Sequence, residues 1–182
     1  MNKEEKKEQF RAHCLKRLAK VSASKSYNKD KKVLQLLCRY ISTHKVQSLM
    51  LYVSLKAEVN LYPLIQKLRK EQKQVYVPFM QGASFRLVKY RLPLKKKQFG
   101  IKEPKYSRQY RRKSIDLAIV PIVGMDTTQR RVGFGKGMYD RFFEKNSKNI
   151  KKVIFVAREL CYSKEVVTDH YDVKADKVFT PR

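Results

Sequence analysis

Apolar positions recur along this chain with two alternating periods. Phe10, Cys14, Leu15 and Leu18 return at helical spacing inside a charged stretch and predict an amphipathic helix over residues 3 to 20. Ser22 and Ser24 break that pattern and offer caps for a second helix, whose apolar face is Val33, Leu36, Leu37, Tyr40 and Ile41. From Val46 to Val53 the run Leu49, Met50, Leu51, Tyr52 reads as a buried strand. Residues 60 to 71 return to helical spacing through Leu61, Leu64, Ile65 and Leu68, with Pro63 tolerable in the first turn. A short strand follows from Gln74 to Val77, stopped by Pro78, and another at Phe85, Leu87 and Val88, opened by Gly82. Residues 91 to 114 are basic and irregular, with Pro93, Gly100 and Pro104. Strand character resumes over residues 116 to 123. A glycine-rich loop and a helix reaching Lys145 come next, then a strand over Val153 to Ala157 and a last short one at Val178 and Phe179.

Strands that alternate with helices predict an α/β fold: a three-layer sandwich, with a mainly parallel sheet covered by helices on both faces. The chain carries neither repeats nor a low-complexity linker, so one domain is expected over residues 1–182. Ligands of such sheets sit at the carboxyl ends of strands. Ser54 to Glu58 and the glycine loop both follow strands, and we expect them to line one crevice.

Composition narrows the class. A hydrophobic fraction of 42% supports a packed core, and no apolar run has the length of a membrane span. Residues 1 to 7 are charged with no apolar stretch behind them, so no secretory signal is expected and the setting is expected to be cytoplasmic. Cys14, Cys38 and Cys161 are an odd, widely spaced set, expected to be free thiols. Lysine and arginine number 43 against 16 acidic residues, a net charge of +27, which invites an anionic partner. The charges are spread along the chain, with short clusters at Lys95–Lys97 and Arg111–Lys113. No RNA-recognition aromatic motif or zinc-finger spacing accompanies them, so no specific nucleic-acid partner is expected.

The chemistry concentrates between Arg131 and Arg141. Three of the six glycines, Gly133, Gly135 and Gly137, alternate there; Phe134 and Lys136 lie between them, and Met138, Tyr139 and Asp140 follow. Glycines let backbone N–H groups approach an anion, and a helix starting near Gly137 would add its N-terminal dipole. Arg131, Lys136 and Arg141 supply charge, and Asp140 is a hard oxygen donor suited to magnesium. The loop is neither Walker A, which needs Gly-Lys-Ser/Thr, nor the dinucleotide fingerprint, whose third glycine comes later. Two readings stay open on these residues: a cradle for a nucleotide triphosphate, or a structural turn with an ordinary first-turn aspartate.

Several separate segments together resemble the 5-formyltetrahydrofolate cyclo-ligase family. The glycine segment resembles its Arg-x-Gly-x-Gly-x-Gly-x-Tyr-Asp signature. Asp116–Pro121 with Asp126 resembles the strand before it, Phe99–Pro104 its Gly-Ile-x-Glu-Pro segment, Lys7–Arg11 its first helix, and Asp169–Val173 a late stretch. The matches keep the family's order over nearly the whole chain. The resemblance implies an enzyme that uses ATP and Mg2+ to convert 5-formyltetrahydrofolate, with or without a polyglutamate tail, to 5,10-methenyltetrahydrofolate, ADP and phosphate. It implies no membrane partner, and a monomer is expected. It places Lys136, Tyr139 and Arg131 in catalysis. Lys7, Arg11, Arg131, Gly133, Phe134, Gly135, Lys136, Gly137 and Asp140 would lie on ATP, with Asp140 also on the metal. Leu55, Glu58, Phe99, Met138 and Tyr139 would lie on the folate. Met138 departs from the signature, which has a tyrosine there, and the match near His170 is shifted. Asp126 and Asp172 are weaker candidates, and His13, His44 and His170 are expected at the surface or in packing. Two other readings are a basic RNA-binding protein and a catalytically degenerate member of the same fold.

Overall fold

The computed structural model describes residues 2–21, 23–97, 100–104 and 114–181, with the side chains of residues 23 and 24 set aside. Ser22 and the Ser24 side chain, expected as caps, lie outside this description, as do Phe99 and the cluster Arg111–Lys113.

The first helix, α1 (Lys3–Ala19), opens on a capping box: Asn2 accepts the Glu5 N–H at 2.9 Å and the Glu5 carboxylate accepts the Asn2 N–H. The second, α2 (Ala23–Thr43), begins ten residues before its apolar face does. A six-stranded sheet forms the centre, from β1 (Ser48–Met50), β2 (Gln74–Gln81), β3 (Ser84–Lys89), β6 (Leu117–Pro121), β9 (Val153–Val156) and β11 (Lys177–Phe179). Across the sheet the order is β11-β9-β6-β1-β2-β3, and every pair is parallel except β2 with β3. Helices α2 and α3 (Tyr62–Lys70) cover one face, through Leu37, Ile41, Leu64 and Leu68 against Leu49, Val75, Leu117 and Ile154. Helix α4 (Met138–Asn146) covers the other, setting Phe142 and Phe143 against Met50, Tyr76, Val120 and Phe155. The three-layer expectation therefore holds. Being covered on both faces, β6 is buried at every position, which explains its unbroken apolar run.

Three local expectations change. Pro78 does not stop its strand. Tyr90 N–H donates to Val75 O at 2.9 Å, and Pro78 faces Leu87, so ladder alternation turns the proline nitrogen away from β3. It points to the side vacated when β1 ends at Met50, where no N–H is needed. Next along that side, the Met80 N–H is taken by the buried Glu103 carboxylate at 2.7 Å. The region expected to be irregular contains a small hairpin, β4 (Leu94–Lys96) with β5 (Lys102–Pro104), which Glu103 latches to β2. The strand over residues 116 to 123 ends at Pro121, and the chain turns into a second small sheet. Its strands are β7 (Gly124–Asp126), β8 (Arg131–Val132) and β10 (Tyr162–Ser163).

The cysteine expectation is overturned. Cys14 and Cys161 form a disulfide, with Cα atoms 5.6 Å apart across a sequence separation of 147, and Cys38 alone is free. Helix α1 lies directly over Gly124, where a Cβ would come within 2.8 Å of the Phe10 ring and 3.0 Å of the Cys14 sulfur. The missing side chain lets the helix settle onto β7, beside Cys161 and Val123, and the sulfurs meet. Spacing in sequence carries no trace of that approach.

Candidate active site

The glycine loop follows β8 and feeds α4, whose N-cap is Gly137 at φ 59°. Gly135 also has a positive φ, 89°, so both positions sit where a side chain would be strained. The glycines also make room for arginines. A Cβ on Gly133 would lie 2.7 Å from Arg131 Nη2, and one on Gly137 would lie 2.8 Å from Arg141 Nη1; at Gly135 the nearest atoms belong to Arg11, 3.6 Å away. Arg11 Nε donates to Gly133 O at 3.0 Å. Arg141 Nε donates to Ala83 O at 2.7 Å, and its Nη2 to Lys136 O, so it ties the loop to the β2–β3 turn.

Arg131 is the centre of the arrangement. It is only 5% exposed and grips Asp140 with two bonds of 3.2 and 3.3 Å; it also donates to Pro121 O at 3.2 Å and lies 4.8 Å over the Tyr139 ring. Burial opposes ionisation of Asp140, but the Arg131 charge and hydrogen bonds, helped by the Val173 N–H, hold its carboxyl below the usual range. Lys7 extends from α1 to Asp172 and, at 3.5 Å, to Asp169.

Two cavities meet at this loop. One, about 560 Å³, is lined by Lys7, Arg11, Gly133, Gly135, Asp140 and Asp172; the other, about 220 Å³ and mostly apolar, is lined by Tyr52, Leu55, Glu58, Phe85, Met138 and Tyr139. Arg131, Lys136 and Gly137 line both. The residues expected on ATP thus gather around the polar cavity, except Phe134, which lines the apolar one. Of those expected on folate, Leu55, Glu58, Met138 and Tyr139 line the apolar cavity, and Phe99 lies outside the described residues.

Charge within the apolar cavity is finely set. Burial pushes the Glu58 carboxyl up to about 7, against the Leu55 N–H bond of 2.8 Å and the charges of Arg131 and Arg158. Tyr139 is pushed up by burial and then by Glu58, and stays a neutral donor. Among the described residues no group of three or more His, Cys, Asp and Glu could hold a metal. Asp140 and Asp172 nevertheless present hard oxygens to the polar cavity. That suits Mg2+, which takes one or two carboxylates and fills its remaining positions with phosphate oxygens and water.

Pattern reading missed two residues. Arg158 and Asp30 make a bidentate pair at 2.7 and 2.8 Å, and Arg158 also holds Lys56 O, which fixes the segment carrying Glu58. Neither lies in a motif, so only the fold could find them. Asp126 is fully buried and serves a turn: it accepts N–H groups of Thr128, Val167 and Thr168. Asp172 is stronger than expected, because it faces the polar cavity and holds Lys7. Tyr171 and His170 line the same cavity, whereas His44 stacks on Tyr40.

The chain is similar to known proteins over nearly its whole length. The chain is 28% identical over 180 residues to a 5-formyltetrahydrofolate cyclo-ligase of Haemophilus influenzae, covering 93% of this chain and 94% of that one. A solved 5,10-methenyltetrahydrofolate synthetase of Aquifex aeolicus superposes with a TM-score of 0.79 at 27% identity, over 97% of this chain and 92% of that one. The synthetase of Mycoplasma pneumoniae shares the fold with a TM-score of 0.77 at 21% identity, over 97% of this chain and 99% of the other. The sequence profile of the 5-formyltetrahydrofolate cyclo-ligase family matches residues 3–181, and with the sheet, loop and paired cavities in place the chain belongs to that family.

Proposed function

We infer that this chain converts 5-formyltetrahydrofolate to 5,10-methenyltetrahydrofolate, using Mg-ATP and releasing ADP and phosphate. The observation that carries the reading is the pair of cavities, one polar and one apolar, with Arg131, Lys136 and Gly137 shared between them. A reaction that joins a triphosphate to a flat, largely apolar molecule needs this layout. Cations of Lys7, Arg11, Arg131, Lys136 and Arg141 converge on one crevice, which favours an enzyme over a basic surface for RNA.

The chemistry asks little of protein nucleophiles. A formamide carbonyl is a poor electrophile because its nitrogen lone pair is delocalised. The formyl oxygen attacks the γ-phosphorus, the bond to the ADP oxygen breaks, and the formyl carbon becomes iminium-like with phosphate as its leaving group. N10 then attacks that carbon and loses its proton, and phosphate departs with the electrons of the C–O bond. The chain's part is to align the reactants, neutralise the moving phosphoryl group and exclude water. Lys136 and Arg131, at the shared wall, face the transferred group, and Arg11 and Lys7 face the rest of the chain of phosphates. Asp140 and Asp172 would hold Mg2+, which supplies charge neutralisation across the phosphate oxygens. Glu58 accepts N–H groups of the pterin, and Tyr139 presents its neutral hydroxyl to the formyl end.

The test is absorbance of the methenyl product when purified protein meets 5-formyltetrahydrofolate and Mg-ATP. Product should require ATP, and Lys136→Ala should lower kcat about 100-fold or more while far-ultraviolet circular dichroism is unchanged. Near-normal turnover in that variant would remove Lys136 from the reaction, and folded wild-type protein that makes no product would overturn the assignment.

A further inference from the structure

Beside the loop and its cations, an aromatic pair lines the 560 Å³ cavity. His170 and Tyr171 line it, with rings 5.4 Å apart and nearly perpendicular at 76°. Tyr171 is 57% exposed, so its ring is accessible from the cavity it lines. The ring is held in place: its hydroxyl donates to Asp169 Oδ2 at 3.0 Å, and the Lys7 ammonium lies 5.3 Å from its centroid. Along the wall, contact runs from Tyr171 to Lys7, from Lys7 to Asp172, from the neighbouring Val173 N–H to Asp140, and from Asp140 to Arg131. An aromatic ring, then a cation, then the glycine loop is the order in which a nucleotide presents its base, its inner phosphates and its terminal phosphate.

We propose that Tyr171, braced edge-on by His170, is the stacking platform for the nucleotide base, with Lys7 at the inner phosphates between base and loop. This rests on the phosphate reading given under Proposed function and adds to it the direction in which the nucleotide lies. Tyr171 is more than half exposed, so a base entering the cavity reaches the ring, while the His170 edge contact and Lys7 hold the ring without its hydroxyl. Stacking of this kind accepts any flat base and is sensitive to loss of the ring, not of the hydroxyl.

Binding to ADP and to inorganic pyrophosphate, both with Mg2+, separates the base from the phosphates. Calorimetry on wild type, Tyr171→Ala and Tyr171→Phe should show ADP affinity about tenfold weaker in the alanine variant alone. Pyrophosphate affinity should stay within about twofold in all three. Tyr171→Ala that binds ADP as wild type does overturns the platform. So does equal loss for ADP and pyrophosphate, which would mean that the ring acts only by holding Lys7. Loss of ADP affinity in Tyr171→Phe would assign the effect to the Asp169 hydrogen bond and overturn it as well. Wild type that binds neither ligand would fail the phosphate reading itself, and the base platform with it.

Discussion

Residues in this site are matched in pairs that a linear motif conceals. Gly133 gives space to Arg131, Gly137 to Arg141, and Gly135 faces Arg11 from another helix. The sequence displays the glycines and the charges but not which belongs to which, since the pairing is made by side chains folding back or arriving from a distant helix, as Arg11 does when it reaches Gly133 O across 122 residues. Glu58 shows the same limit. Its place after the first strand is legible, but its desolvation comes from the apolar cavity that it lines with Tyr52 and Tyr139. With its carboxyl pushed up to about 7 from an ordinary 4.5, the folded protein keeps a proton that the unfolded chain releases between those values. Stability should therefore fall as pH rises from about 4.5 through 7, by on the order of 3 kcal/mol at most, and by less because the side chain keeps some solvent contact. Urea unfolding at several pH values, wild type against Glu58→Gln, checks this: the slope over that window should flatten in the variant. Equal slopes would show an ordinary solvated carboxylate.

At the scale of elements, long periodic segments were legible and short or unpatterned ones were not. The helices α1, α3 and α4 announce themselves because their apolar positions repeat with the helical period, and β6 and β9 because they are unbroken apolar runs buried at every position. The hairpin of β4 and β5 and the small sheet of β7, β8 and β10 are two or three residues per strand, too short for any period, and are held by single buried groups such as Glu103 and Asp126. The segment between β1 and α3 is another such case. Its shape is set from outside by Arg158, which bridges Asp30 of α2 and Lys56 O, while Asp30 also accepts the Asn60 N–H at 3.2 Å. Both members of the pair are about nine-tenths buried. Arg158→Ala should therefore cost about 3–5 kcal/mol, because it leaves Asp30 charged and unmatched, and Lys should rescue it only in part because it lacks the two-pronged fit. Chemical denaturation measures the loss, and the KM for the folate should rise with it as the Glu58 segment loosens. A change below about 1 kcal/mol would make the pair a spectator.

Taken whole, the molecule sets α1 apart from the three layers. This helix packs on the small sheet through Phe10, Cys14 and Leu18, and it brings Lys7 and Arg11 to the polar cavity from the opposite end of the chain. Salt bridges from Lys6 to Glu165 and from Arg17 to Glu159 help seat it, but both are partly exposed and contribute little. The disulfide between Cys14 and Cys161 is the firm attachment, one turn beyond Arg11 on the same helix face. Closing a loop with a sequence separation of 147 removes unfolded-chain entropy worth about 5 kcal/mol on the loop-entropy account. Thiol titration of native protein purified without reductant should find one reactive group, Cys38, and three after dithiothreitol and denaturation. Reduction should then lower stability by about 3–5 kcal/mol, and Cys14→Ser should show the same loss without reductant and no further response to it. Nucleotide affinity should weaken in step, because Lys7 and Arg11 ride on the freed helix, whereas a variant at Cys38 should keep full sensitivity to reductant. Three titratable thiols in unreduced protein, or a stability indifferent to dithiothreitol, would leave packing and the polar contacts of Lys7 and Arg11 to hold α1 over the site.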